Sequence, residues 1–386
     1  MLSLKRHTHA LPHVAALLTS TVALLPAPAP AEVGQWSRRW TLELPTVADA
    51  ESEFQAGCAP TGGEHLRLVV ATKSGEQGAV RELSLATLSR SGNLESMTAI
   101  AHPNDPLSEV HRCLVLENGE LMIFAAARSG AILALESAGA QWKPDLRLGD
   151  GGYDVRIHDA AWLGDRRFVA VGAKKRKGFV VVLDTADRTV EWRDWESRDP
   201  SLVADVESGA GASTICGLEA DLSGELFSKT SGLFLASLTE SGSFETVVRM
   251  PGRACRLLTR AARETSVGLL LEGGESIPGP LRLLDVGASL EPIGEQQLLG
   301  SVFFLYSLKL AQAGSSFAVL NELPARESIE VFSSANDARI GSARLDVFPG
   351  GPMDVLAFGE EYLVVSHRPA VESNHRRVRI DLFHSP

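Results

Sequence analysis

The stretch "LENGELMIFAAARSGAILALESAGAQ", Leu116–Gln141, contains two apolar runs, Leu121–Ala127 and Ala131–Leu135. A break at Ser129-Gly130 separates them, and a second break follows at Ser137-Ala138-Gly139. Runs this short, bounded by Gly and Ser, read as two β-strands joined by a hairpin, because Gly supplies positive φ and Ser bonds its own backbone. The same order returns in other letters at His65, Asp165, Gly224, Ser266, Ser315 and Glu360, making seven copies with Leu116–Gln141.

Anchors in the first quoted strand of each copy (Val69, Ile123, Val169, Phe227, Leu269, Ala318 and Leu363) recur about every 49 residues. Four short strands in such a period are the signature of a propeller blade. A blade cannot bury both of its faces alone, so neighbours stack around an axis, and a closed ring removes the raw sheet edges. The fold expected is all-β, a seven-bladed β-propeller of four-stranded antiparallel blades. The competing arrangements are an open solenoid and a two-sheet sandwich.

The last copy ends in "RVRIDLFHSP" with only its third strand. A spare strand, "QWSRRWTLEL" (Gln35–Leu44), precedes the first complete copy. It is expected to pair beside Val378–Phe383 and close the ring.

The chain begins with Lys5 and Arg6, an apolar run from Leu11 to Leu25, and Ala29-Pro30-Ala31. That order is a secretory signal peptide, and Pro26 ends the run short of the roughly 18 apolar residues that a membrane anchor needs. Residues 1–31 are therefore expected to be a leader and 32–386 a single propeller domain, secreted or periplasmic, with no stable membrane insertion. The formal charge of −11 repels phosphate and argues against nucleic acid as a partner. At 44% hydrophobic and 22% charged residues, the chain has enough apolar material for a substantial core.

Four cysteines, Cys58, Cys113, Cys216 and Cys255, fall in strands read as the innermost of their blades. In an exported chain an even count favours disulfides, and the local solution pairs Cys58 with Cys113 and Cys216 with Cys255 across adjacent blades. Buried free thiols are the alternative. No Cys-x-x-Cys or close Cys/His set suggests a metal.

Innermost strands line the channel of a propeller. Aligning "EVHRCLVLENG" with "DVRIHDAAWLG" on Gly119 and Gly164 puts Asp154, Arg156 and His158 on one face, and Glu109, His111 and Cys113 at the matching positions. Glu109, His111, Asp154, Arg156 and His158 are the candidate ligand-binding residues, with an imidazole as proton carrier. The plainer reading of such a lining is polar groups bonded to water and to one another. His102 in "AHPNDPLSE" reads as a surface turn near the mouth. "KKRK" (Lys174–Lys177) reads as a solvated hairpin tip.

The segment "VLDTADRTVEW" (Val182–Trp192) resembles the Ala-Leu-Asp…Gly…Trp phrase of quinoprotein and outer-membrane-assembly propellers, with Arg188 in the glycine position. That resemblance implies a blade. One copy does not carry pyrroloquinoline quinone, and no cofactor is expected. Nucleophile elbows, zinc-helix motifs and phosphate loops do not occur in the sequence. The functional expectation is a monomeric binding or scaffold module for a protein or glycan partner. Its rival is a hydrolase or lyase acting on a saccharide at the channel mouth.

Overall fold

The computed structural model of this chain describes residues 34–45, 50–58, 65–74, 80–102, 104–116, 118–138, 141–143, 146–150, 155–195, 200–208, 213–219, 232–239, 241–259, 267–272, 279–287, 289–302, 308–322, 326–345, 352–369 and 376–385. The expected leader, residues 1–31, and Asp154 lie outside the described residues. Every regular element described is a β-strand.

The strands form seven antiparallel sheets in chain order. Their innermost strands are Ala50–Cys58, Leu107–Val115, Val155–Gly164, Ser201–Ser208, Ala254–Thr259, Leu310–Ala313 and Pro352–Phe358, which define blades 1 to 7. Successive strands in a blade are joined by tight turns. At the tip between Arg167–Lys174 and Lys177–Asp184, Lys175 and Arg176 both take positive φ (49° and 66°), the two-residue turn that matches strand twist. Arg188, at the glycine position of the quinoprotein-like phrase, also stands in the left-handed region at φ 57°. Glycine is the easy choice there, and here an arginine adopts its conformation.

What makes the ring a single body is the placement of the apolar side chains. The buried residues fall into seven clusters, and each cluster joins two neighbouring blades. Val69 and Leu83 of blade 1 pack with Ile123 and Leu133 of blade 2. The last cluster joins Leu363 and Ile380 of blade 7 to Leu66 and Leu68 of blade 1. A blade thus has two apolar faces, and only a closed circle covers both on every blade.

Closure occurs at the expected place. Ser37–Glu43 pairs antiparallel with the last strand, Arg376–His384, as the fourth strand of blade 7, and Leu44 N donates to Val378 O at 3.0 Å. Just before it, Gly34–Gln35 runs parallel along Arg339–Arg344, the outer strand of blade 6. Between the two pairings, Trp36 is buried against Tyr362, with ring centroids 5.5 Å apart. A Cβ at Gly341 would collide with that indole, so glycine there makes room for the wedge.

Both expected disulfides are present. Cys58–Cys113 ties blade 1 to blade 2 with Cα atoms 5.0 Å apart, and Cys216–Cys255 ties blade 4 to blade 5 at 6.4 Å. One placement differs from the sequence reading: Cys216 lies on Ser213–Glu219, the second strand of blade 4, not on an innermost strand. The reason is phase. The anchor assigned to this copy, Phe227, lies outside the described residues between the second and third strands, and the true second strand comes earlier in the chain.

Candidate functional site in the central channel

Five innermost strands share one irregularity. In blades 1, 2, 3, 4 and 7 the pairing with the second strand slips by one residue, at Gln55, His111, His158, Ala204 and Met353. A bulge of this kind bends the strand and re-aims its side chains. In blades 1 to 3 the bulged residue reaches across to the next blade. Gln55 Oε1 accepts from Val110 N at 3.2 Å, His111 Nδ1 accepts from Ile157 N at 3.2 Å, and His158 Nδ1 lies 3.0 Å from Val203 O. Each partner immediately precedes the bulge position of its own strand, so the contact is one device used three times.

The residue after the bulge is charged in four of these blades: Arg112, Asp159, Asp205 and Asp354. Arg256 of blade 5 joins them. Arg112 Nη2 is 2.6 Å from Asp159 Oδ1, and Arg256 Nη1 is 3.1 Å from Asp205 Oδ1. Two of the carboxylates also hold the next blade by its backbone: Asp159 Oδ2 accepts from Val206 N at 3.3 Å, and Asp205 Oδ2 from Leu257 N at 2.7 Å. Arg256 is committed further, donating from Nε to Leu308 O at 2.9 Å.

These five charged residues line a cavity of about 860 Å³ to which the innermost strands of all seven blades contribute. The rest of its wall extends toward the C-terminal ends of those strands, through Leu116, Trp162, Glu207, Gln312 and Ala357. The charged layer is its floor.

Asp159 and Asp205 interact directly, and their environments push them apart. Burial and the neighbouring Asp159 charge raise Asp205 well above the usual carboxyl range. Burial also opposes ionisation of Asp159, but the Arg112 guanidinium overcomes it and takes that carboxyl below its usual value. Within the pair, the proton that is held to higher pH rests on Asp205. Burial likewise raises Glu207 and Asp354.

Among the expected site residues, Glu109, His111, Arg156 and His158 sit in the N-terminal halves of the innermost strands, on the other side of the charged layer, and do not line this cavity. His111 Nε2 lies 3.8 Å from Glu109 Oε2, and this neighbour holds the Glu109 carboxyl below the usual range. Arg156 is exposed. Since a carbonyl only accepts, His158 Nδ1 carries the proton in its bond to Val203, and burial pushes the imidazole down to about 4. His102 caps its own turn, its Nδ1 accepting from Asp105 N at 3.0 Å.

Arg112, Asp159, Asp205, Arg256 and Asp354 were missed because alternation was carried straight through each strand. The available signal was a charged residue recurring at one register just ahead of an apolar one.

No family model matches the sequence, and no curated protein matches it. Among solved structures, the chain is similar to the crystal structure of Chaetomium thermophilum Raptor (TM-score 0.60, 8% identity), over 92% of this chain and 30% of that one. It therefore spans less than a third of the Raptor chain. It is also similar to the Dos1 propeller, with TM-score 0.54 and 9% identity over 90% of this chain and 94% of that one. At such identities the likeness is one of fold. By architecture the chain is a seven-bladed β-propeller, and the comparisons place it in no specific family.

Proposed function

We propose that this propeller acts after export as a binding or scaffold module, a rigid disc that holds a protein or glycan partner. The observation that carries the reading is the commitment of the innermost-strand ionisable groups to blade-to-blade bonds. The imidazoles of His111 and His158 hold backbone groups of the next blade, as do Asp159 and Asp205. Groups used this way stiffen a ring. The two disulfides fit an oxidising compartment, as export by residues 1–31 would require.

The competing reading is a saccharide hydrolase or lyase. It finds little support in the carboxyl pair of the channel floor, since the two acids of a glycosidase stand roughly 5 to 9.5 Å apart, whereas Asp159 and Asp205 are close enough to share a proton. The test uses the chain from residue 32 onward, purified with its disulfides intact. It is assayed for saturable binding to an immobilised glycan array and to the exported proteins of its source cells, and in parallel for saccharide cleavage. Retention of a defined glycan or protein without turnover supports the binding reading. Cleavage that His158→Ala abolishes, in a variant that still folds, overturns it in favour of the enzyme.

A further inference from the structure

The charged layer has a gap. Asp159 and Asp205 each accept a backbone N–H from the following blade, but Asp354 of blade 7, at the same position after its bulge, does not. Among the described residues its one hydrogen bond is from Val355 N, its own neighbour, at 2.9 Å. Blade 1, which follows, presents only Ala56 and Gly57 at this level, and Gly57 lies in the cavity wall. Beyond blade 1 stands Arg112. Its guanidinium pairs with Asp159 through Nη2, its Nε is buried without an acceptor, and its side chain is 36% exposed. A carboxylate with spare acceptor capacity and a partly exposed guanidinium thus line the same cavity. Arg112 is among the cations whose field reaches Asp354, together with Lys309 and Arg256.

Around this pair the wall is largely apolar, with half-buried Leu116, Trp162, Leu310 and Leu356. The volume, about 860 Å³, is within the range of small-molecule sites. A ligand with only an ammonium would pair Asp354 and gain nothing from Arg112, and one with only a carboxylate would leave Asp354 without a partner. A ligand with an ammonium and a carboxylate a few ångströms apart and an apolar remainder satisfies both.

We infer that the channel binds a small zwitterion with an apolar side chain, an α-amino acid in chemical class, its carboxylate on the exposed part of the Arg112 guanidinium and its ammonium on Asp354. This site is separate from any partner surface on the outside of the disc and does not depend on the binding-module reading. A charge-assisted hydrogen bond from the Arg112 guanidinium gives directional recognition of the carboxylate.

The test is calorimetric titration of the full chain, disulfides intact, with L-leucine and L-phenylalanine. The controls are N-acetyl-L-leucine, which lacks the ammonium, and isoamylamine, which lacks the carboxylate. Saturable one-to-one binding of at least one amino acid is expected, at least about tenfold tighter than either control. Asp354→Asn, which disturbs one bond to an adjacent N–H, is expected to fold as the parent does and to weaken binding about tenfold or more. Arg112→Gln removes the partner of Asp159, so its melting temperature is measured alongside. Heats for isoamylamine equal to those for leucine, no saturable heat with either amino acid, or unchanged leucine affinity in Asp354→Asn each overturn the inference.

Discussion

The Nδ1 atom of His158 lies 3.0 Å from the carbonyl oxygen of Val203, and this bond fixes both the tautomer of the imidazole and the spacing of blades 3 and 4. Desolvation holds the ring neutral, with its pKa near 4 against an ordinary 6.5. In the unfolded chain the same histidine takes up a proton near pH 6.5. The stabilisation is therefore complete above that pH and is lost as pH falls from 6.5 through 4. His367, also pushed down by burial, contributes in the same direction. Urea titrations at pH 7.5, 6 and 4.5 should show a loss of about 2 to 3 kcal/mol attributable to His158. His158→Gln keeps a donor for Val203, much as Gln55 serves blade 1 with an acceptor, and should flatten most of that slope.

The Asp159–Asp205 pair has the opposite pH signature. Asp205 holds its proton to higher pH in the folded chain than in the unfolded one, so its contribution declines as pH rises from about 4 through its raised folded value. Asp205→Asn imitates the protonated form and should remove this decline, leaving the variant as stable as the parent, or more so, at pH 8. Asp159→Asn instead strands Arg112 and should cost about 3 kcal/mol. Chemical melts of both variants at pH 5 and 8 distinguish the two roles. Equal losses in the two variants would contradict the assigned proton.

Each disulfide crosses a blade boundary and closes a long loop, with partners 55 residues apart for Cys58–Cys113 and 39 for Cys216–Cys255. Replacing either pair by serines should lower stability by about 2 to 4 kcal/mol. Thiol titration of the unfolded, unreduced chain should find no free thiol. Any free thiol in that experiment would show a bridge unformed in solution.

Trp36 fills the joint between the two pairings of the N-terminal segment. Trp36→Ala should cost about 3 to 5 kcal/mol, the range for a buried aromatic. Hydrogen exchange should show the loss first in Arg376–His384, which pairs with Ser37–Glu43. Protection unchanged there would mean that the ring is held without the wedge.

Much of this fold was legible because turns and apolar runs are local features. Gly130 and Gly164, both at positive φ, sit at turns that the sequence marks by composition alone. The missing fourth strand of blade 7 was legible too, since an incomplete copy at one end and a spare strand at the other imply each other. The cysteine pairing followed from each partner lying in the next blade, although the fourth copy was read out of phase and Cys216 was put on the wrong strand.

The channel was not legible in the same way. Alternation reaches His158 correctly, with Val155 and Ile157 buried and Arg156 exposed between them, and fails one residue later, where the bulge turns Asp159 into the channel floor. In the Leu107–Val115 strand two slips place Leu107, Val110 and Cys113 on the face toward blade 1, a period of three where a regular strand has two. A bulge is set by how neighbouring strands fit around the axis, and one strand's own residues do not announce it.

The sequence by itself determined the number of blades, their order, the closing strand and the cysteine partners, because these depend on periodicity and turn chemistry along the chain. Only the tertiary structure decided which charges meet. Arg112, Asp159, Asp205 and Arg256 come from four different blades, and their contacts exist only once seven sheets have closed around one axis and the bulges have aimed their side chains.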